Sequence, residues 1–246
     1  MPTTPIRVAM WSGPRNISTA MMRSWGNRGD TFVCDEPLYA HYLQQTGLHH
    51  PGAAEVMQRQ ETDWRKVVDG LLGTIPENKS IFYQKQMAHH LLKCIGRDWL
   101  DDLVHCFLIR DPREMLTSLV HHIPNPTLAD TGLVQQVELF EEVRRKTGCI
   151  PPVLDSKDVL EHPEALLRQL TQAVGVTFDE AMLRWAPGTR TTDGVWAKYW
   201  YVNVEKSTGF QSYKPKDDRV PDHLKEVHAQ CVECYAILHA HRLRVS

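Results

Sequence analysis

Apolar positions gather in five short runs along the chain: IRVAMW (6–11), TFVC (31–34), SIFYQ (80–84), VHCFLI (104–109) and PPVLD (151–155). Several of these runs are apolar at nearly every position, the pattern of strands covered on both faces rather than one. Between them the apolar residues recur at helical spacing. Residues 16–28 follow the first run, 61–75 precede the third within helices expected around 38–75, and 112–123 follow the fourth. Residues 133–148 lead to the fifth, 163–176 follow it, and a last helix over 221–242 is opened by Pro221-Asp222.

Strands alternating with helices predict a single α/β domain over 1–246: a parallel sheet of about five strands of the P-loop type, flanked by helices on both faces, with helical additions. Such sheets bind ligands outside the carboxyl ends of their strands, so the residues that follow each run are the place to seek chemistry. The least regular stretch, 186–220, is aromatic and polar, and reads as a flap or cofactor loop over a site, or as a mobile loop.

With 246 residues, 42% of them hydrophobic and 24% charged, the chain can bury a sizeable core. A net charge of -2 gives no reason to expect nucleic acid as a partner, so any anion site must be local. The first residues carry no basic-plus-apolar leader pattern, and no apolar run reaches the roughly 20 residues that span a bilayer. A cytoplasmic protein without a membrane partner is expected. Of six cysteines, only CVECYAILHAH, with Cys231, Cys234, His239 and His241, resembles a metal cluster. It also reads as one amphipathic helix, and no metal is expected there.

The first run ends in SGPRNIST, residues 12–19. Gly13 permits close backbone approach, and Pro14, Arg15, Asn16 and Ile17 lead into a helix whose first N–H groups suit an anion. Ser12, Asn16, Ser18 and Thr19 add polar groups, and Arg15 is the turn's one cation, a planar fork suited to oxyanions. A capped helix with a surface arginine would look the same. The Gly-Lys-Ser/Thr of a nucleoside-triphosphate loop is absent. The fourth run ends in RDPREMLTS, where Arg110 leaves the strand, Pro112 starts a helix and Ser118 lies two turns along it. A surface Asp-Arg capping network is the alternative.

Taken together, these two segments resemble the sulfotransferase family, whose donor is 3′-phosphoadenosine 5′-phosphosulfate (PAPS). GPRNIST is similar to the family's first motif, a Pro-(Lys/Arg)-Ser-Gly-(Ser/Thr)-Thr-like loop, with Asn-Ile where the family has Ser-Gly. RDPREMLTS matches the second, Arg-Asp-Pro-Arg with a Ser eight residues after the first Arg. VLDSKDVLEHPEALLRQLTQAVGVTF follows a third pattern, and EKSTGF (205–210) resembles the Gly-containing cofactor loop. The resemblance covers about residues 6–215 and is closest to carbohydrate-type and bacterial members. It implies that Arg15, Ser18 and Thr19 hold the 5′-phosphosulfate, while Arg110 and Ser118 hold the 3′-phosphate. Ser207, Thr208, Gly209 and Phe210 would close over the adenosine.

Sulfuryl transfer to a hydroxyl is an in-line displacement that needs positioning, leaving-group stabilisation and a base. Arg15 suits the bridging oxygen. DEPL places Asp35 and Glu36 after the second run, and in carbohydrate-type members a Glu at a similar Glu-Pro is the proposed base; Glu36 could equally cap a helix begun by Pro37. YQKQMAHHL offers Lys85, His89 and His90 near where phenol and alcohol sulfotransferases use a histidine. At most one of an adjacent helical His pair is expected to be catalytic, and Lys85 could support the sulfuryl group or be a solvated strand-end lysine. His49-His50 and His121-His122 read as surface pairs. The aromatics of 195–202 could line an acceptor pocket or simply pack. A small-molecule or carbohydrate-like hydroxyl acceptor is expected, with a homodimer left open. The rival readings are a nucleotide-binding module without turnover and, lower, a P-loop kinase lacking its loop lysine.

Overall fold

The structure, a computed structural model, describes residues 5–245. Five strands, β1 (Ile6–Ser12), β2 (Thr31–Asp35), β3 (Ile81–Met87), β4 (Val104–Ile109) and β5 (Val153–Asp155), form one parallel sheet in the order β2-β3-β1-β4-β5. All five apolar runs are therefore strands. β3 and β4 are buried along nearly their whole length, which is why their sequences do not alternate. Helices connect them: α1 (Ser18–Gly26), α2 (Tyr39–Thr46), α3 (Ala53–Arg59), α4 (Trp64–Leu72), α5 (Pro112–Leu119), α6 (Leu128–Thr131), α7 (Leu133–Thr147), α8 (Ser156–Glu161), α9 (Pro163–Ala173), α10 (Ala197–Trp200) and α11 (Lys225–His239). Among the described residues no helix is long and apolar enough to cross a membrane.

By packing, the chain forms two compact units. The first holds the described residues up to Met10, Thr19–Val104 and Asp179–Phe210; the second holds Trp11–Ser18, His105–Phe178 and the described residues from Gln211 on. In the first, β2 pairs with β3 so that Cys34 faces Gln84 and Asp35 faces Lys85. Its core is aromatic: Trp25 stacks on Tyr83 with ring centres 5.2 Å apart, and Phe32 meets Phe82 edge-on at 5.8 Å. In the second, Phe107 of β4 packs edge-on against Phe140 of α7, and Leu166, Leu167 and Leu170 of α9 are fully buried. The last helix closes this core. Cys231 of α11 is buried with Met115, Leu116, Leu119 and Leu133, as a small hydrophobe. Burial pushes its thiol up to about 11. Among the described residues no group of His, Cys, Asp and Glu is gathered to hold a metal ion.

Three local expectations are corrected. β3 runs on to Met87, so Lys85 lies inside the strand and is 1% exposed, not solvated at its end. His89 and His90 sit in a single 3₁₀ turn, Ala88–His90, rather than on a helix, and both are buried instead of one facing outward. His50 is not a surface side chain: it is half-buried, with its Nδ1 2.9 Å from the Tyr39 hydroxyl.

Candidate active site

In the second unit the turn after β1 and the turn after β4 converge. Gly13 is required by its neighbour: a Cβ there would lie 2.4 Å from the Thr131 carbonyl oxygen. Arg15 takes a left-handed φ of 57°, a conformation that costs an L-residue roughly 1–2 kcal/mol. The left-handed residue of this turn is thus the arginine and not Gly13. Asn16 is the turn's anchor. Its Nδ2 donates to the Leu108 carbonyl (3.1 Å) and its Oδ1 accepts from the Ser18 N–H (3.2 Å), so its side chain serves the fold where an anion contact was expected.

The strand-four motif divides its labour in the same way. Asp111 caps α5 by accepting from the Glu114 N–H at 3.1 Å, and Pro112 occupies the first turn. That satisfies the capping alternative for Asp111 and Pro112 and leaves Arg110 and Ser118 for other work. Arg110 Nη1 donates to the Arg15 carbonyl at 2.5 Å, while Arg15 Nε donates to Ser118 Oγ at 3.0 Å. The residues expected to bind the two ends of one anion therefore meet. Burial, and then the Arg110 charge, push Arg15 below its usual value; arginine keeps its proton, so two cations are held close at an electrostatic cost. An anion between them would relieve that cost.

Arg110 is partly neutralised from behind. Its Nε and Nη2 donate to Glu114 Oε2 at 3.1 and 3.0 Å, and the Tyr213 hydroxyl donates to the other oxygen of Glu114. Burial alone would raise Glu114; the Tyr213 and Arg110 hydrogen bonds with the Arg110 charge outweigh it and hold the carboxylate low. Tyr213 is correspondingly pushed up to about 12, chiefly by its bond to Glu114. Neither Glu114 nor Tyr213 was a candidate from sequence. Glu114, four residues after Arg110 on a helix, carried an ion-pair spacing that could have flagged it.

The first unit holds a second cluster. Lys85 Nζ donates to Asp35 Oδ1 (2.8 Å), Glu36 Oε1 (2.5 Å) and the Tyr201 hydroxyl (2.9 Å), which uses all three of its N–H bonds. The parallel register that sets Asp35 beside Lys85 builds this cage directly from the strands. Glu36 turns out of β2 with a left-handed φ of 45°, strain of a kind that collects at functional sites. Burial favours loss of the Lys85 proton, but Asp35, Glu36 and Tyr201 outweigh it and keep the ammonium well above its ordinary value. Burial pushes Glu36 up, Lys85 pulls it back, Asp35 pushes it further, and the net direction is upward.

His90 stacks on Tyr39 with ring centres 4.7 Å apart and packs on Tyr42 at 4.6 Å. Burial first, then the charges of His89, His50 and Lys85, drives it well below its ordinary value, so it is neutral at physiological pH. His89 packs edge-on against Tyr42. Of the aromatic segment, Trp196 and Tyr201 are buried; Trp196 meets Tyr39 edge-on and its Nε1 donates to the Tyr201 hydroxyl at 3.3 Å. The stretch from 186 is pinned at several points: Arg23 makes a bidentate pair with Asp193 (2.5 and 2.8 Å), and Gly194 N–H donates to Asp35 Oδ2 (3.1 Å).

The remaining candidates also lie in the first unit. Ser207 is buried, its Oγ donating to the Val204 carbonyl (2.6 Å) and accepting from Trp185 Nε1 (3.0 Å). The Thr208 carbonyl accepts from the Trp185 N–H (3.1 Å), Gly209 bridges to Arg184, and Phe210 sits edge-on against Trp185. A Cβ on Gly209 would stand 3.0 Å from the Leu183 carbonyl oxygen. This loop is fixed by its own packing on Trp185.

A five-stranded parallel sheet connected by helices defines an α/β protein. The chain belongs to the family described as "Sulfotransferase domain", whose pattern it matches over residues 6–238. It is similar in fold to the sulfotransferase domain from the Synechococcus PCC 7002 olefin synthase (TM-score 0.53, 18% identity, covering 96% of each chain). It is likewise similar to the sulfotransferase domain from the curacin biosynthetic pathway (TM-score 0.52, 13% identity, 94% of this chain and 99% of that one). Among curated proteins it is 34% identical over 96% of its length to "Branched-chain-amino-acid aminotransferase-like protein 1" of Arabidopsis thaliana, and 32% identical over 94% to protein 2. It spans only 42% and 41% of those proteins, whose names describe chains more than twice as long.

Proposed function

We propose that the chain transfers a sulfuryl group from PAPS to a hydroxyl of a small-molecule or carbohydrate-like acceptor. The observation that carries this reading is the Arg15–Ser118–Arg110 arrangement, two cations and a hydroxyl gathered by two turns that no magnesium-nucleotide loop requires. Arg15, with Ser18, Thr19 and the first N–H groups of α1, would hold the 5′-phosphosulfate, and Arg110 with Ser118 the 3′-phosphate. The donor supplies an activated S–O bond. As the acceptor oxygen bonds to sulfur, the bond from sulfur to the bridging oxygen breaks and the electron pair leaves on 3′-phosphoadenosine 5′-phosphate (PAP). Arg15 meets that growing charge, at a value of a few kcal/mol.

The acceptor's proton goes to Glu36. Its carboxylate is raised by burial, it retains an oxygen beyond the one that accepts from Lys85, and it is 12% exposed, so it is basic and reachable. Lys85 serves as a fixed positive charge rather than a base, because its proton is held by three partners. His90 is enclosed between tyrosine rings, which argues for a packing role.

The test is PAP formation from PAPS over a panel of hydroxyl compounds. Glu36→Gln should lower turnover by about two to four orders of magnitude, the range of a general base, and leave PAP affinity unchanged. Wild-type turnover in that variant would remove Glu36 as the base; binding of PAP with no turnover in any wild-type assay would favour a nucleotide-binding module. Turnover should also persist in chelator. Loss of activity restored by magnesium would favour a kinase-like loop, in which a metal and not Arg15 neutralises the donor.

A further inference from the structure

The Lys85 cage holds two carboxylates around one ammonium, and its inventory is one proton short of neutral. Asp35 accepts from Lys85, from the Tyr201 hydroxyl (2.7 Å to Oδ2) and from the Gly194 N–H. Its side chain is 1% exposed. Glu36 accepts from Lys85 alone among the hydrogen bonds described above, on its Oε1. The two acids are neighbours in sequence and share a cation, yet their surroundings differ: one is saturated and sealed, the other open on one side. Paired acids whose environments diverge in this way divide into one that stays charged and one that exchanges its proton.

We propose that Asp35, with Tyr201, is a positioning residue for the base: by holding Lys85 with a second carboxylate, sealed from solvent and already engaged by Tyr201 and Gly194, it makes Glu36 the oxygen that takes the acceptor's proton. This rests on the reading of Glu36 as base. During transfer the proton leaves the acceptor O–H and bonds to Glu36 Oε, Lys85 keeps its three protons, and the cage passes from a net charge of -1 to neutral. Protonation therefore removes an uncompensated buried charge, which favours it. Tyr201 cannot supply or take that proton. Its hydroxyl is spent on Asp35 and Lys85, and burial with the Asp35 charge pushes it well above the ordinary tyrosine value. The groups facing Glu36 are Lys85 from β3, Asp35 from β2, Tyr39 from α2 and Tyr201; the neutral His90 lies within the Lys85 field.

The sign follows from the charges. Asp35 raises Glu36, so Asp35→Asn should lower its titration midpoint by about one pH unit or more, the effect of one charge at short range. The readout is the ¹³C resonance of glutamate side-chain carboxyls against pH in the full chain, with Glu36 assigned by its disappearance in Glu36→Gln. A midpoint unchanged or raised in Asp35→Asn overturns the proposal. Should that variant not fold, Tyr201→Phe decides. It retains both carboxylates and frees Asp35 of a donor, so the Glu36 midpoint should rise; no change, or a fall, overturns it. In the PAPS assay the acid limb of turnover should move down with the midpoint, while KM for PAPS holds. A Glu36 midpoint that falls in Asp35→Asn while wild type forms no PAP counts against sulfuryl transfer and not against the pairing of Asp35 with Glu36; wild-type turnover with no such fall counts against Asp35 and not against transfer.

Discussion

At the scale of single residues, the polar groups that looked like ligands are also held by protein partners, and they differ in what those partners are. Asn16 builds, through Leu108 and Ser18; Arg15 reaches Ser118 from a strained backbone. Lys85 is the sharpest case of interdependence. Removing it as Lys85→Met would leave Asp35 and Glu36 buried without a counter-charge, and we expect a loss of about 3–5 kcal/mol in chemical denaturation. A variant within 1 kcal/mol of wild type would mean that solvent already screens the cage. The sequence could nominate Glu36, Arg15 and Arg110 because each follows a strand, and Lys85 because it is the charged residue directly after the apolar run 80–84. It could not nominate Tyr201: it is 116 residues from Lys85, in a segment whose aromatics give no periodic signal.

At the scale of elements, the strands were legible and their partners were not. Apolar runs with turn residues between them located all five strands, since burial on both faces leaves few other sequences available. The pairing of β2 with β3 is a tertiary fact, and it is this register that turns two adjacent acids and a lysine into a cage. Helix ends were less legible: the turn after β3 carried an apparently helical His pair, yet the chain makes one 3₁₀ turn there because the two rings are drawn in among Tyr39 and Tyr42. The turn after β1 makes its own prediction. Gly13→Ala would drive a methyl into the Thr131 carbonyl, so the turn must shift, at a cost of about 1–3 kcal/mol. Weaker PAP binding with an otherwise cooperative melt is the expected result, and unchanged affinity would show that the turn does not shape the anion site. The stretch from 186 read equally as flap or mobile loop; the Arg23–Asp193 pair, with side chains 3% and 5% exposed, decides for an anchored segment. Asp193→Asn should therefore speed limited proteolysis within 186–205, and an unchanged cleavage pattern would contradict that anchoring.

At the scale of the whole molecule, a nearly neutral chain concentrates its electrostatics in a few enclosed places. This has a consequence for acid stability. Glu114 sits below its ordinary value when folded, so it contributes stability above the usual carboxylate range, and the contribution is lost as pH falls through the lowered value. Melting temperature followed from pH 7 down to about 3 should drop less steeply in Glu114→Gln than in wild type. Parallel curves would exclude Glu114 as a source of acid sensitivity. The family and its fold were readable from two short motifs because both are local, each spanning one strand end and the helix after it. The acceptor was not, because it depends on side chains from separate segments whose directions only the folded chain fixes.

The proposed function has Arg15 and Arg110 serving the two phosphate ends of one adenosine ligand. Calorimetric titration of wild type and Arg110→Ala with PAP and with adenosine 5′-phosphate tests it most directly. Wild type should prefer PAP by about tenfold or more, the worth of one charged hydrogen-bonded contact, and Arg110→Ala should lose the preference by weakening PAP alone. Equal affinity of wild type for the two nucleotides, or a preference that survives Arg110→Ala, would contradict it.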